Sequence, residues 1–193
     1  MIYVNIHEIF LLTSLFYLFV KAENNCLTIA NSTETGVRCC NLPDLKQKTN
    51  ISNLIMEYPE LSNMTQEVVR CSKAKIYMEK SNLTSFDKSD FKNFIKDSTN
   101  DSEWIEAFNK AVDQCIDNLS HYKKILQQIH KVRDEDCDIR YQAYITCMHL
   151  VARKECPTKS LVNIEKCKNT KDFLDHCLDD VEALQFALIK HEF

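Results

Sequence analysis

The chain is poor in the residues that form tight turns. Its 193 residues include one glycine and three prolines, and two of the prolines, Pro43 and Pro59, lie in the first third. β-Hairpins usually depend on turns that contain glycine or proline, so this composition disfavours a sheet. The first prediction is therefore an all-α fold.

Long apolar segments are also scarce. The twelve residues from Ile9 to Val20 are too few to span a bilayer but have the size of a signal-peptide core. Val20-Lys21-Ala22 places small or apolar residues where a signal peptidase cleaves. The alternative for the apolar segment is a buried N-terminal helix. We predict a signal peptide over residues 1–22 and a single secreted domain over 23–193, without a membrane anchor.

The motifs of common catalytic and metal sites are absent as well. The sequence has no GxSxG elbow, no HExxH and no P-loop, which argues against an enzyme. It has no Cys-x2-Cys pair, so neither a metal nor a cofactor is predicted. The 24 basic and 28 acidic residues give a formal charge of -4, and no basic patch with interleaved aromatics indicates nucleic acid.

Cysteine, by contrast, is abundant. All ten cysteines follow Ala22, and an even number in a secretory chain predicts disulfides. Cys137 and Cys147 would lie about 15 Å apart along a helix, whereas bonded cysteines need Cα atoms within about 7 Å. They cannot pair with each other if the segment is helical, and the same holds for Cys147 with Cys156 where the helix persists. The disulfides should therefore join different helices.

Apolar residues at spacings of three or four predict four helices from Asp101 onwards. The four stripes are Trp104, Phe108, Val112, Cys115 and Leu119, then Tyr122, Ile125, Leu126, Ile129 and Val132, then Ile139, Ala143, Cys147, Leu150 and Val151, and finally Phe173, Leu174, Cys177, Leu178, Val181 and Leu184. The third helix should run from about Asp138 to Ala152, and the fourth should begin near Thr170 as its N-cap. Residues 86–95 predict a shorter amphipathic helix and residues 44–58 a weaker one.

The cysteine spacing resembles that of a known family. The pattern Cys115-x21-Cys137-x9-Cys147-x8-Cys156-Pro157-x9-Cys167 is similar to that of insect odorant-binding proteins of the Plus-C subclass, in which a proline follows the sixth cysteine. The 30 residues between Cys40 and Cys71, and the 43 between Cys71 and Cys115, also fall within the family range.

The resemblance implies a fold and a function. The fold would be a compact, disulfide-linked bundle of about six to eight short helices around an apolar cavity that carries small hydrophobic molecules such as odorants or pheromones. An olfactory receptor or another protein would be a further partner. Seven aromatic or apolar residues are candidates for the cavity wall, namely Phe91, Phe94, Trp104, Phe108, Ile125, Tyr144 and Met148. The alternative for each of them is that it simply fills the core.

The resemblance also implies two disulfides, Cys40–Cys71 and Cys115–Cys156. Glu67 stands where the family has its second cysteine, so Cys147 lacks its usual partner and either pairs elsewhere or stays free. Six cysteines remain without an assigned partner, namely Cys26, Cys39, Cys137, Cys147, Cys167 and Cys177.

Six Asn-x-Ser/Thr sequons permit glycosylation in a secreted chain, at Asn31, Asn50, Asn63, Asn82, Asn100 and Asn118. Heavy glycosylation favours an alternative function, a secreted cysteine-rich interaction protein or salivary effector that binds a protein partner on the same scaffold. The tail Val181–Phe193 has apolar residues on more than one face and suggests a lid, which His191 would make pH-sensitive.

Overall fold

The computed structural model describes residues 26–33, 38–43, 45, 58–133 and 135–191. Within these ranges the chain is all-α, as predicted, with two short 3-10 segments, Pro59–Asn63 and Thr158–Ser160, and one isolated bridge between Cys40 and Leu161. The α-helices are α1 (26–32), α2 (Gln66–Lys80), α3 (Lys88–Ser98), α4 (Ser102–Asp117), α5 (Leu119–His130), α6 (Arg140–Lys154), α7 (Lys168–His176) and α8 (Val181–His191). The predicted signal peptide and most of segment 44–58 lie outside the described residues.

The described residues belong to two compact units. One contains α1, α7 and α8, and the other contains α2 to α6 together with the flanking segments 38–45 and 155–164. The candidate wall residues all belong to the second unit.

Helix α6 is the centre of the second unit. Nine of its fifteen residues are buried, so almost every side of the helix must be covered by protein. Helices α2, α4 and α5 pack against it, and α3 packs against α4. The buried residues of α6 are Tyr141, Ala143, Tyr144, Thr146, Cys147, Met148, Leu150, Val151 and Ala152.

Aspartates define where two of the surrounding helices begin. The Asp87 carboxylate accepts hydrogen bonds from the backbone N–H groups of Ser89 and Asp90 at the start of α3. Asp101 does the same for Glu103 and Trp104 at the start of α4, and it also accepts from Lys159 Nζ at 2.9 Å. The Lys159 hydrogen bond is the main reason why the pKa of Asp101 is lowered. These caps satisfy N–H groups that have no partner within the helix.

The disulfides differ from the pairs that the resemblance implied. Cys40 bonds to Cys156, Cys71 to Cys137 and Cys115 to Cys147, with Cα–Cα distances of 6.1, 6.2 and 5.7 Å. The predictions of Cys40–Cys71 and Cys115–Cys156 are therefore wrong.

Packing around α6 explains the difference. Cys147 faces α4 on the buried side of α6 and takes Cys115, while the segment after Cys39 runs beside the segment that follows Cys156. Backbone hydrogen bonds from Asn41 N to Ser160 O and from Val162 N to Cys39 O hold the two segments together, at 2.9 and 3.1 Å. On the chain-entropy model, the Cys40–Cys156 disulfide, with a sequence separation of 116, stabilises the fold by roughly 5 kcal/mol.

The first unit has its own disulfide, Cys26–Cys177, with a Cα–Cα distance of 5.5 Å. Lys190 Nζ in α8 donates to the carbonyl oxygens of Asn31 and Thr33 at the end of α1. A cation at that position donates to carbonyl groups at the helix end and interacts favourably with the helix dipole. Cys39 and Cys167 are also disulfide-bonded, and no described cysteine is free.

Three predicted helix boundaries are wrong. The first stripe does not continue to Leu119, because α4 ends at Asp117 and its C-cap is Asn118, whose side-chain Nδ2 donates to Gln114 O at 2.9 Å. The second stripe does not continue to Val132, because α5 ends at His130 and Lys131 caps it in the left-handed region at φ 53°. The fourth predicted helix is two helices, and α7 begins at Lys168 rather than at a Thr170 cap. Asp180 accepts from Ala183 N at 2.9 Å and starts α8, which leaves Val181 exposed instead of on the inner face.

The remaining segments refine the prediction without overturning it. The third predicted helix is α6, shifted by two residues to Arg140–Lys154. The amphipathic piece over 86–95 is α3, and Phe86 precedes it in the left-handed region at φ 52°. Helices α1 and α2 were not predicted. In the proposed tail lid, the His191 side chain, Glu192 and Phe193 lie outside the described residues.

The surface carries the sequons. The five that fall within the described residues, at Asn31, Asn63, Asn82, Asn100 and Asn118, have exposed asparagines, so a glycan at any of them would extend into solvent. None of the helices in the described ranges combines the length and apolar composition that a bilayer crossing requires.

The cysteine pairing is open to direct test. Proteolysis of the unreduced protein should release disulfide-linked peptides joining Cys40 to Cys156, Cys71 to Cys137, Cys115 to Cys147 and Cys26 to Cys177, identified by mass spectrometry before and after reduction. A linked peptide that joins Cys40 to Cys71 would contradict the packing around α6.

His130, in the last turn of α5, makes stability depend on pH. Burial lowers the pKa of His130 below its ordinary value of 6.5, the charge of Arg70 lowers it further, and Glu67 opposes both. The unfolded chain therefore binds this proton more readily, so the stabilisation is present above about pH 6.5 and is lost as the pH falls through the folded-state pKa. Between about pH 7 and pH 5, His130→Gln should lose less free energy of unfolding than the wild type in denaturant titrations. Equal losses would refute this assignment.

Candidate functional site

Phe91 in α3 and Tyr144 in α6 form the closest ring contact of the site. Their ring centroids are 4.2 Å apart, and both side chains are buried. Phe86 lies 6.1 Å from Tyr144 in an edge-on arrangement and 5.2 Å from Tyr141, one turn earlier on α6. We call Phe86, Phe91, Tyr141 and Tyr144 the aromatic cluster. Offset and edge-to-face contacts of this kind are favourable beyond the area they bury.

A second ring pair lies on α4. Trp104 and Phe108 are one helical turn apart, with centroids at 5.4 Å, and both are buried. The indole Nε1–H of Trp104 donates to Ser160 Oγ at 3.1 Å. This hydrogen bond satisfies the polar atom of a buried ring and ties α4 to the segment that follows Cys156.

The other candidate wall residues are distributed over three helices. Ile125 in α5 and Met148 in α6 are buried, and Phe94 in α3 is half-buried. Among the described residues, ring contacts join Phe91 to Tyr144 and Trp104 to Phe108 but do not join one pair to the other. That any of the seven binds a ligand stays a prediction.

Sequence reasoning missed two members of the aromatic cluster. Tyr141 precedes Tyr144 by three residues, so their shared helix face was a signal that the sequence contained. Phe86 offered no such signal, because its place in the cluster depends on a turn with φ 52° that bulky residues rarely adopt.

The interior of the unit holds few unsatisfied polar atoms. Tyr144 is 3% exposed, and its hydroxyl has no hydrogen-bond partner among the described residues. Burial raises the pKa of Tyr144, so the hydroxyl keeps its proton at physiological pH. The other buried side-chain atoms without such a partner are Asn109 Oδ1, His121 Nε2 and Gln142 Oε1.

A charged side chain contacts the cluster, at Phe86. Arg140 lies over the Phe86 ring, with its guanidinium carbon 5.5 Å from the centroid, and it forms an ion pair with Asp138. The ion pair with Arg140 lowers the pKa of Asp138. In the described ranges no three His, Cys, Asp or Glu side chains are grouped as a metal site would require.

Comparison with known proteins identifies a distant relative. Over 153 residues the chain is 25% identical to a protein named general odorant-binding protein 68 of Anopheles gambiae, covering 76% of this chain and 72% of that protein. No family model matches the chain, and no solved structure matches it. The relative agrees with the odorant-binding resemblance found in the cysteine spacing, but it does not specify a subclass.

The Trp104–Ser160 hydrogen bond should matter for stability. Ser160→Ala leaves a buried indole N–H without its partner, which typically costs about 1–3 kcal/mol of unfolding free energy. Ser160→Thr keeps a hydroxyl and should restore most of the loss. Since Trp104 is the one tryptophan of the chain, its fluorescence reports the unfolding transition of each variant. Equal stability of the alanine variant and the wild type would show that the bond contributes nothing.

Proposed function

We propose that this chain is a secreted, non-catalytic carrier that binds small hydrophobic molecules, of the odorant or pheromone kind, in its apolar interior. The observation that carries the proposal is the aromatic cluster, in which the buried rings of α3 and α6 meet the half-buried Phe86 from the turn before α3 within a disulfide-linked helical unit. The similarity to a general odorant-binding protein over 76% of the chain supports the same function.

The physical basis of binding would be burial of the ligand's apolar surface. Each Å² removed from water contributes about 25 cal/mol, and ligand sites in proteins are mostly apolar with a few polar groups. The second unit fits this description, because its buried wall candidates are mainly aromatic and aliphatic. The disulfides of this unit, of which Cys115–Cys147 joins α4 to α6, would keep the site preorganised, which lowers the ordering cost of binding.

The disulfides also support an extracellular location, since such bonds persist in oxidising compartments. In this proposal the chain is exported through the signal peptide at residues 1–22, belongs to the Plus-C subclass and has glycans on its exposed sequons. An olfactory receptor or another extracellular protein would receive the ligand or the complex.

A second function has support of its own. On α8, Phe186 and Ile189 are exposed side by side, and Ile189 is 65% exposed. Exposed apolar side chains on one helix face are typical of protein interaction sites. A secreted interaction protein or salivary effector would use such a surface to bind a protein partner, with the interior serving only as core.

Displacement of a fluorescent hydrophobic probe distinguishes the two functions. The refolded mature protein should take up N-phenylnaphthylamine and release it to volatile apolar ligands, and Phe91→Leu should weaken ligand affinity about three- to tenfold because an aromatic contact is lost. Ile189→Ala, on the exposed face of α8, is the matched control and should bind as the wild type does. A folded helical protein that takes up no probe would exclude the carrier and favour the interaction protein.

A further inference from the structure

The hydroxyl of Tyr144 is the most unusual polar group of the candidate site. It is buried at 3% exposure and has no hydrogen-bond partner among the described residues. Buried tyrosine hydroxyls normally find a partner, because losing water without compensation is unfavourable. Among the described residues none supplies this partner, which leaves the hydroxyl available to a bound molecule, either a ligand or water.

The rings that pack on the Tyr144 ring favour an apolar molecule over water alone. The rings of Phe91 and Phe86 lie 4.2 and 6.1 Å from the Tyr144 ring, and neither offers a conventional hydrogen-bond donor or acceptor. A buried water usually makes about three hydrogen bonds. The polar side-chain atoms of the aromatic cluster are the hydroxyls of Tyr144 and Tyr141, fewer than the three partners of a typical buried water, and the rest of its surface is aromatic, which suits a hydrocarbon body that ends in one polar atom.

Phe86 takes part in the cluster from a backbone conformation that bulky residues avoid. Its φ is 52°, in the left-handed region. Neighbouring polar contacts hold the turn, from Ser85 Oγ to Asp90 Oδ2 at 2.9 Å and from Asp87 N to Ser85 Oγ at 3.3 Å. Strain of this kind collects where a side chain must be positioned for binding.

The charge of the site limits the ligand to neutral molecules. The ring neighbours of Tyr144 carry no charge that would compensate a carboxylate, and burying an uncompensated charge is strongly unfavourable. Arg140, the cation nearest the cluster among the contacts described, is about half exposed and paired with Asp138.

We propose that Tyr144 is the polar anchor of the ligand site and that the ligand is a neutral, mainly hydrocarbon molecule with one hydrogen-bonding oxygen, such as an alcohol or an aldehyde. The hydrocarbon body packs on the aromatic cluster, and its oxygen exchanges a hydrogen bond with the Tyr144 hydroxyl. This inference rests on the proposed carrier function and adds the chemical class of the ligand and the residue that selects it.

The test compares decanol, decanal, decane and decanoate as displacers of N-phenylnaphthylamine from the refolded mature protein. Decane is more hydrophobic than decanol. It would bind more tightly than decanol if no protein group formed a hydrogen bond with the decanol hydroxyl, because burying an unpaired hydroxyl is unfavourable. The inference requires the reverse order, with decanol and decanal binding more tightly than decane and with decanoate binding weakly.

Tyr144→Phe removes one oxygen and keeps the ring. It should weaken decanol and decanal about three- to tenfold, the range expected for one hydrogen bond, and leave decane unchanged. Tyr77→Phe makes the same chemical change outside the aromatic cluster and should leave all four affinities unchanged. A selective loss in Tyr144→Phe alone supports the inference.

Three outcomes would overturn it. If Tyr144→Phe weakens all ligands equally, the residue acts through packing, and if it weakens none, water alone satisfies the hydroxyl. If that variant does not fold, the wild-type order still decides, because tighter binding of decane than of decanol contradicts a polar anchor. Failure of the wild type to bind the probe or any ligand would instead overturn the carrier function itself.

Discussion

The burial of α6 is the constraint on which the larger unit depends. With nine of its fifteen residues buried, this helix cannot be stable beside a single neighbour, since most of its apolar surface would then face water. Helices α2, α4 and α5 cover it, and the Cys115–Cys147 disulfide fixes its contact with α4. The aromatic cluster follows from the same burial, because Tyr141 and Tyr144 are inside only when α6 is.

The cysteine spacing resembles that of the odorant-binding family, yet the disulfides differ from the pairs that this resemblance implied. The number of residues between cysteines limits how far apart they lie, but many pairs satisfy that limit in a bundle of short helices. Cys137 and Cys147 do not bond to each other, as predicted, although Cys137 precedes α6 instead of lying within it. The choice between Cys71 and Cys156 as partner of Cys40 required knowing that residues 39–41 run beside 160–162, a contact between segments far apart in the chain.

Local sequence predicted the helices where one apolar face dominates. Helices α4, α5 and α6 are predictable because each contains a stripe of apolar residues that recur every three or four positions, although α6 is buried on further sides as well. Helix α2 was missed because only Cys71 and Met78 of its fifteen residues are buried, which leaves little periodic signal. The boundary between α7 and α8 was missed for another reason, since the apolar spacing continues through a cap at Asp180 that only its side-chain hydrogen bond reveals.

Local sequence and tertiary contacts determine different features of this protein. The sequence by itself determined the all-α class, the disulfide-rich composition and the candidates Phe91 and Tyr144, because turn residues, cysteines and apolar period are local properties of the chain. Tertiary structure alone decided that these two rings lie 4.2 Å apart, that Phe86 joins them and that the Tyr144 hydroxyl has no partner among the described residues. The reason is physical: whether a polar atom is satisfied depends on which distant side chains surround it, and the spacing of residues along a chain does not specify that.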